Sequence, residues 1–402
     1  MPVTVNPRTV LRIIDRLNIG GPAIHVTLLN QYLDQARFNE HAWKSILVYG
    51  QEEKNEGNML ALLRQSQQTV YLPALGRELH PLKDLVSFWR VFRLIRQQKP
   101  AIVHTHKSKA GVIGRLTAWI CRVPVRVHTY HGHVLHGYFG PWKSRIFIWI
   151  ERGMARLSTA LIAVSPKVKA DLLKYRIAPE NKIKVLYLGL ELARFSAQPR
   201  RQGTLRKELR ISAEQTVVGI VARLVPIKGL EIFLEAARRI AAADPTVEFV
   251  VIGDGELRQG LEKRADELGL KTRIHFLGFR NDLEYLYPDI DVLMLTSFNE
   301  GSPVSLIEGL AAGCAVVSTH VGGVPDVIRD GESGWLIAAN PDDTPEAIGR
   351  RAAEKVLSLL TDPAERRRLG ENGQKDVLNR FDIHRLVQDI DRLYCDTLLK
   401  VL

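Results

Sequence analysis

The stretch from Asn299 to Asp326, NEGSPVSLIEGLAAGCAVVSTHVGGVPD, decides how this chain is read. Just before it, VLMLTSF (Val292 to Phe298) is a short apolar run between polar residues, the pattern of a strand covered on both faces in a parallel sheet. Glu300 and Gly301 turn the chain off that strand. Ser302 suits an N-cap and Pro303 a first helical position, so a helix is expected from Pro303 to Ala312, ended by Gly313. A helix that starts at the carboxyl end of a parallel strand aims unpaired amides and partial positive charge at an anion such as phosphate. CAVVST then reads as the next strand.

Glu300 and Glu308 are eight positions apart, and Glu300 precedes the helix, so the two cannot share one helix face. Acids there can simply complement the helix dipole or face solvent. Glu308, however, is flanked by Leu306, Ile307 and Leu310, where a carboxylate needs a partner or a hydroxyl ligand.

Upstream, TVVGIVARLVPIKGLEIFLEAARRI (Thr216 to Ile240) reads as strand, turn and helix, and brings Arg223 and Lys228 to one strand mouth. Two cations there would stabilise a departing diphosphate. Nearer the N-terminus, VLRIIDRLN reads as a strand and Gly20-Gly21-Pro22 as a break before the helical pattern IHVTLLNQYLDQA. That turn can cradle a phosphate, but it is not the G-x-G-x-x-G fingerprint of dinucleotide sites. Between these landmarks short apolar runs alternate with helical patterns, among them MLALLRQS, which predicts α/β domains with doubly wound parallel sheets and ligands at the strands' carboxyl ends.

The chain has 402 residues, 46% of them hydrophobic, enough for two ordinary cores. Its net charge of +12 is unevenly placed: residues 1–190 carry 28 Lys and Arg against 11 Asp and Glu, the remainder 28 against 33. The basic half suggests an anionic partner, and its densest pieces, SFWRVFRLIRQQK and YFGPWKSRIFIWIERGMAR, interleave bases with aromatics as interfacial helices on anionic lipid do. A basic solvated back on a packed helix is the alternative. Three scattered cysteines argue for a reducing compartment, and neither a signal core nor a membrane-spanning run is present. The expected location is the cytoplasm, peripheral to the inner face of the membrane.

Six of the twelve histidines, His104, His106, His128, His131, His133 and His136, crowd two strand ends. They lack companion acids or cysteines at ligand spacing, so a polar rim is expected there rather than a metal. Asp289-Ile290-Asp291 has the form of a metal-binding D-x-D but precedes a buried strand, where a strand-entry turn is the expectation.

Taken together, Glu300-Gly301-x-Pro303-x4-Glu308, Gly313, CAVVST and Gly322-Gly323-Val324-Pro325-Asp326 resemble the Glu-x7-Glu motif of retaining glycosyltransferases of GT-B architecture, the group-1 or GT4 type. GIVARLVPIKG resembles the second motif of that family, and Thr129-Tyr130-His131-Gly132 its T-x-H-G. Lys107-Ser108-Lys109-Ala110-Gly111 resembles the S-K-A-G of transferases that build bacterial polysaccharides, near the acceptor; an ordinary helix N-terminus is the alternative.

The resemblance implies two Rossmann-like domains facing across a cleft, over residues 1–195 and 196–375, with a last helix, 376–402, crossing back to the first. It implies that Glu300 contacts the donor sugar's hydroxyls and Glu308 the ribose, and that Arg223 and Lys228 grip the diphosphate with the helix-start amides of Ser302 and Val304, on either side of Pro303. Phe279 and Arg280 would lie beside the base, mainly through backbone, Gly20 and Gly21 beside the donor phosphate or acceptor, and His131 near the reacting carbon. Ser302-Pro303 replaces the family's common Phe-Gly, and Leu188-Gly189-Leu190-Glu191 its Asn-Gly-Val-Asp linker.

The implied reaction is transfer of a hexosyl group with retention from a nucleotide sugar, UDP-linked on family grounds, with no cofactor and no metal. The leaving phosphate itself would take the acceptor's proton. The basic, aromatic first half points to a polyprenyl-diphosphate-linked saccharide as acceptor in polysaccharide or cell-envelope assembly; a soluble small acceptor is the alternative. A nucleic-acid binder would show a reading module, and a dinucleotide oxidoreductase the Gly-rich fingerprint and its ribose acid; neither is present.

Overall fold

A computed structural model describes residues 7–18, 20–35, 42–52, 59–63, 67–76, 78, 80–132, 141–340 and 342–401. The chain divides into two compact units, residues 1–190 with 381–402, and residues 191–380.

The first unit contains strands β1 (Arg8–Ile14), β2 (Trp43–Tyr49), β3 (Gln68–Tyr71), β4 (Ile102–His106), β5 (Val125–Tyr130), β6 (Ala160–Ala163) and β7 (Ile183–Val185). Its helices are α1 (Gly21–Leu33), α2 (Pro81–Gln98), α3 (Ser108–Ile120), α4 (Pro141–Leu157) and α5 (Pro166–Lys174). The strands form one parallel sheet in the order β3-β2-β1-β4-β5-β6-β7.

Alternation along each strand serves two helical layers. Val10, Ile102, Val125 and Val127 pack with Leu28, Leu29 and Leu33 of α1 on one face; Leu11, Ile13, Val103 and Val48 pack with Val91 and Ile95 of α2 and Ile113 of α3 on the other. Gly111 and Gly114 let α3 lie close on the sheet, because a Cβ there would come within 2.6 Å of the His128 ring and 2.5 Å of the Thr105 side chain.

The second unit contains α6 (Ala193–Ser196), α7 (Thr204–Leu209), β8 (Val217–Val221), α8 (Leu230–Ala243), β9 (Glu248–Ile252), α9 (Arg258–Glu267), β10 (Ile274–Gly278), α10 (Leu283–Leu286), β11 (Val292–Leu295), α11 (Val304–Ala311), β12 (Ala315–Thr319), β13 (Trp335–Ile337), α12 (Pro345–Thr361) and α13 (Pro363–Phe381). Its parallel sheet runs β10-β9-β8-β11-β12-β13. In each sheet the order reverses beside the unit's first strand, β1 next to β4 and β8 next to β11, and the crevice at such a switch point is where a doubly wound sheet holds its ligand.

The last helix, α14 (Ile383–Leu399), packs on the first unit, its Ile383, Leu386, Val387, Ile390, Tyr394 and Leu398 joining the α1 face. Asp382 caps it through His384 N at 2.8 Å. Residues 376–380, grouped with the final helix in the reading from sequence, continue α13 and belong to the second unit, because Asp382 rather than the segment before it starts the new helix. The expected boundary at 195 likewise falls inside α6; the units divide at Leu190, whose backbone pairs with Phe381 and Ile383.

Of the helix expected from MLALLRQS the described residues form a single 3-10 turn, Leu60–Leu62, and residues 64–66 lie outside the described residues. Among the described residues no helix is long and apolar enough to cross a membrane.

Candidate active site

At the second unit's switch point three loops lock together. Gly229, in the left-handed region at φ 58, brings the turn after β8 against Thr296, whose hydroxyl donates to Lys228 O at 3.2 Å. Phe298 N donates to Ile227 O, and the Thr319 hydroxyl to Ser297 O at 2.6 Å. Gly322 and Gly323 then pass so close under Glu300 and Gly301 that a Cβ on either would come within about 2 Å of a backbone oxygen.

This frame sets Lys228 Nζ 2.6 Å from Glu300 Oε1, and the Ser297 hydroxyl donates to the same oxygen at 2.6 Å. Arg223 is exposed, its guanidinium with no hydrogen bond or ion pair to another described residue.

α11 begins at Val304 with Pro303 as its N-cap and no side-chain cap, so Ser302 is not the capping residue expected: Pro303 at ψ 84 carries the turn into the helix. Gly313 ends the helix at φ 77. Glu308 lies within α11, buried, its carboxylate accepting from the Tyr287 hydroxyl at 3.4 Å. Burial raises its pKa from 4.5 to about 7, against the pull of Arg194.

Phe279 is 64% exposed after β10, while the Arg280 guanidinium is held bidentately by Asp282 and by Glu208 at 2.7 Å. Those bonds leave Arg280's backbone, not its side chain, for a neighbour. Asp289 and Asp291 are buried structural acids: Asp289 accepts from the amides of Gly203 and Leu205, both at 2.8 Å, and Asp291 from Arg201, Arg206 and Val217 N.

In the first unit Gly20 precedes α1 at φ 150 and accepts from the amides of Ala23 and Ile24, while Gly21 and Pro22 form the helix's first turn rather than lying ahead of it. Lys107, at φ 62, turns β4 into α3, and its ammonium donates to Asn18 Oδ1 at 2.6 Å and lies 3.3 Å from Asp15. Ser108 opens α3, so Lys107–Gly111 forms a helix start.

The histidines separate into two sets. His104 is structural, bridging the hydroxyls of Tyr394 at 2.6 Å and Thr129 at 2.7 Å, and His128 meets the Thr105 hydroxyl at 2.8 Å. His106 Nδ1 faces His131 Nε2 at 3.0 Å, with His25 of α1 beside both. Burial lowers the pKa of each; His131, also repelled by the Lys107 ammonium, is held down to about 3. His133 and His136 lie outside the described residues. His25 and Ser297 escaped the sequence reading: each looks like ordinary helix or strand-end polarity until the tertiary structure sets it beside its partners.

The family profile "Glycosyl transferases group 1" matches residues 201–376, and "Glycosyltransferase Family 4" residues 19–194. An Escherichia coli protein named UDP-Gal:alpha-D-GlcNAc-diphosphoundecaprenol alpha-1,3-galactosyltransferase is 30% identical over 347 residues, 85% of this chain and 87% of that one. The chain is a group-1, family-4 glycosyltransferase. The Staphylococcus aureus capsular polysaccharide biosynthesis glycosyltransferase CapM is 26% identical over 84% of this chain and 88% of its own. Anabaena HepE, crystallised with UDP and glucose, superposes with a TM-score of 0.78 at 21% identity over 96% of this chain and 99% of that one. The fold of this glycosyltransferase is therefore GT-B, two Rossmann-like α/β units.

Proposed function

We propose that this glycosyltransferase moves a hexosyl group, with retention, from a UDP-linked donor to a hydroxyl of a polyprenyl-diphosphate-linked saccharide in bacterial envelope or polysaccharide assembly, with no bound metal required. The Lys228–Glu300 pair at the β8–β11 switch point carries the reading. Its ammonium and the unpaired Arg223 meet the charge that develops on the departing diphosphate, as do the amides that open α11. Glu300, already held by Ser297, orients Lys228 and then turns to the sugar's hydroxyls; Glu308 takes the ribose, Phe279 and the Arg280 backbone flank the base, and Gly20, Gly21 and His131 serve the donor phosphate and sugar. The leaving phosphate takes the acceptor's proton.

The lipid-linked acceptor is supported by what the E. coli relative's name says it acts on and by the first unit's surface. α2 exposes Leu82, Leu85, Val86 and Trp89, and α4 exposes Trp142, Ile146, Trp149 and Ile150, each a stripe at helical spacing. The end of α3, which packs between those helices, adds Trp119 and Ile120. Exposed Lys83, Arg90, Arg93 and Arg145 surround the stripes. Apolar side chains turned outward among bases fit the interface of an anionic bilayer, where such an acceptor resides.

The test is transfer from labelled UDP-hexoses to an undecaprenyl-diphosphate-linked monosaccharide, with the product's anomeric configuration read by NMR. Retention is expected, and Lys228→Ala and Glu300→Ala should each lose about 10²-fold or more in rate while staying folded. Near-normal turnover in either variant, or an inverted product, would sink the assignment.

A further inference from the structure

His25, His106 and His131 come from three separate segments, the helix after β1, the end of β4 and the loop after β5, yet each offers a ring nitrogen within 4.8 Å of the others. The ring centroids of His25 and His131 are 4.9 Å apart and those of His106 and His131 5.3 Å.

His25 is 1% exposed, and neither of its ring nitrogens has a hydrogen-bond partner among the described residues; His106 Nε2 is likewise buried and unpartnered. A neutral imidazole carries one donor and one acceptor, so burying both without partners is costly unless something outside the chain completes the group. His104 and His128, on the same strands, have found hydroxyls; His25 has not.

We propose that these three histidines form a site for one borderline first-row transition-metal cation, Zn2+ above all, which acts on the enzyme as an inhibitory ligand and not as a cofactor. Three imidazoles with no carboxylate or thiolate suit Zn2+, Co2+ or Ni2+ and disfavour the oxygen-seeking Mg2+, Ca2+ and Mn2+. Burial disfavours the charged form of each ring, and the neutral imidazole is the form that ligates.

At a metal–nitrogen distance of about 2.0–2.1 Å the nitrogens sit roughly 3.3 Å from one another; His106 Nδ1 and His131 Nε2 are already 3.0 Å apart, so the pair must open slightly as His25 draws in. His131, partly exposed and followed by Gly132 at φ 133, has the most freedom to adjust, and three protein ligands leave a fourth position for water. Capture of His131 removes it from the donor sugar; this consequence, unlike the site itself, rests on the role proposed for His131 above.

The experiment titrates chelator-stripped full-length protein with Zn2+ against a chromophoric chelator, and with Co2+ by visible absorption. Transfer is assayed in parallel. One equivalent of Zn2+ should bind, Co2+ should give the intense bands of a four-coordinate nitrogen site, and Mg2+ should not compete. His25→Gln and His106→Gln, each checked for an unchanged melting temperature, should weaken Zn2+ binding at least tenfold, and the residual transfer of His25→Gln, measured against its own metal-free rate, should resist inhibition by Zn2+. Absence of stoichiometric binding, or equal affinity in both folded variants, would overturn the site. Stoichiometric binding abolished by both substitutions but without effect on transfer would uphold the site and overturn the role given to His131.

Discussion

Glu308 couples stability to function within one side chain. Its folded pKa of about 7 lies above the ordinary 4.5, so between those values the folded state binds more protons than the unfolded state. Stability therefore falls as pH rises from about 4.5 to 7 and the full penalty, up to about 3 kcal/mol, persists above 7. Glu308→Gln should be close to neutral at pH 4.5 and raise the melting temperature at pH 8, while UDP affinity drops about tenfold or more. A variant that gains no stability at pH 8 would show that the carboxylate is compensated in a way the Tyr287 contact does not provide. That opposition, a buried carboxylate kept at a cost to the fold, is what the ribose-binding role proposed for Glu308 predicts.

Loops and helices carry the next set of consequences. The Gly322-Gly323 turn exists to let one strand-end loop pass under another, and Gly323→Ala puts a methyl group about 2 Å from Gly301 O. A cost of about 1–3 kcal/mol is expected from overpacking, read as a lower urea midpoint, and transfer should fall further than stability because Glu300 shifts with its loop. On α4, Trp142→Ala and Trp149→Ala should leave melting unchanged, since both rings are more than two-thirds exposed, yet weaken flotation with anionic vesicles severalfold. Raising salt from 0.1 M to 1 M should weaken the parent's flotation too, because screening shortens the reach of the surrounding bases. Flotation unaffected by either change would remove the bilayer from the reading and favour a soluble acceptor.

At the scale of the molecule, the first unit is completed by the chain's last helix. Trp43 Nε1 donates to Asp391 at 2.6 Å, and Tyr394 OH joins the fully buried Arg12 to His104. Among the described residues Arg12 donates to the neutral acceptors Asn30, Ser45 and Tyr394, so α14 supplies part of the solvation of a buried cation. Gly189 permits the close crossing, since a Cβ there would meet Leu386 at 2.7 Å. Asp391→Ala should cost about 1–3 kcal/mol by leaving a buried indole N–H unpaired, while Asp391→Asn should recover much of it. Differential scanning calorimetry would read both, and an unperturbed Asp391→Ala melt would mean that apolar contacts alone seat the helix.

The sequence by itself determined the class of fold and named the residues proposed for the second unit's site, because both readings rest on local chemistry. Strand runs covered on both faces, Gly at the positive-φ turns and the spacing of Arg223, Lys228, Glu300 and Glu308 are short-range features. Each follows from what one segment needs in order to form a strand end or a helix start. The strand-entry reading of Asp289 and Asp291 belongs here too, since it follows from their place just before a buried strand. Tertiary structure alone decided the rest. No local pattern says that Lys228 and Glu300 meet or that Tyr287 is Glu308's partner, for each contact joins segments brought together only when the sheet closes. The histidine crowd is the sharpest case. Six lie close in sequence, yet two are spent on hydroxyls in the core, and the ring that packs against the His106–His131 pair is that of His25, far upstream on α1.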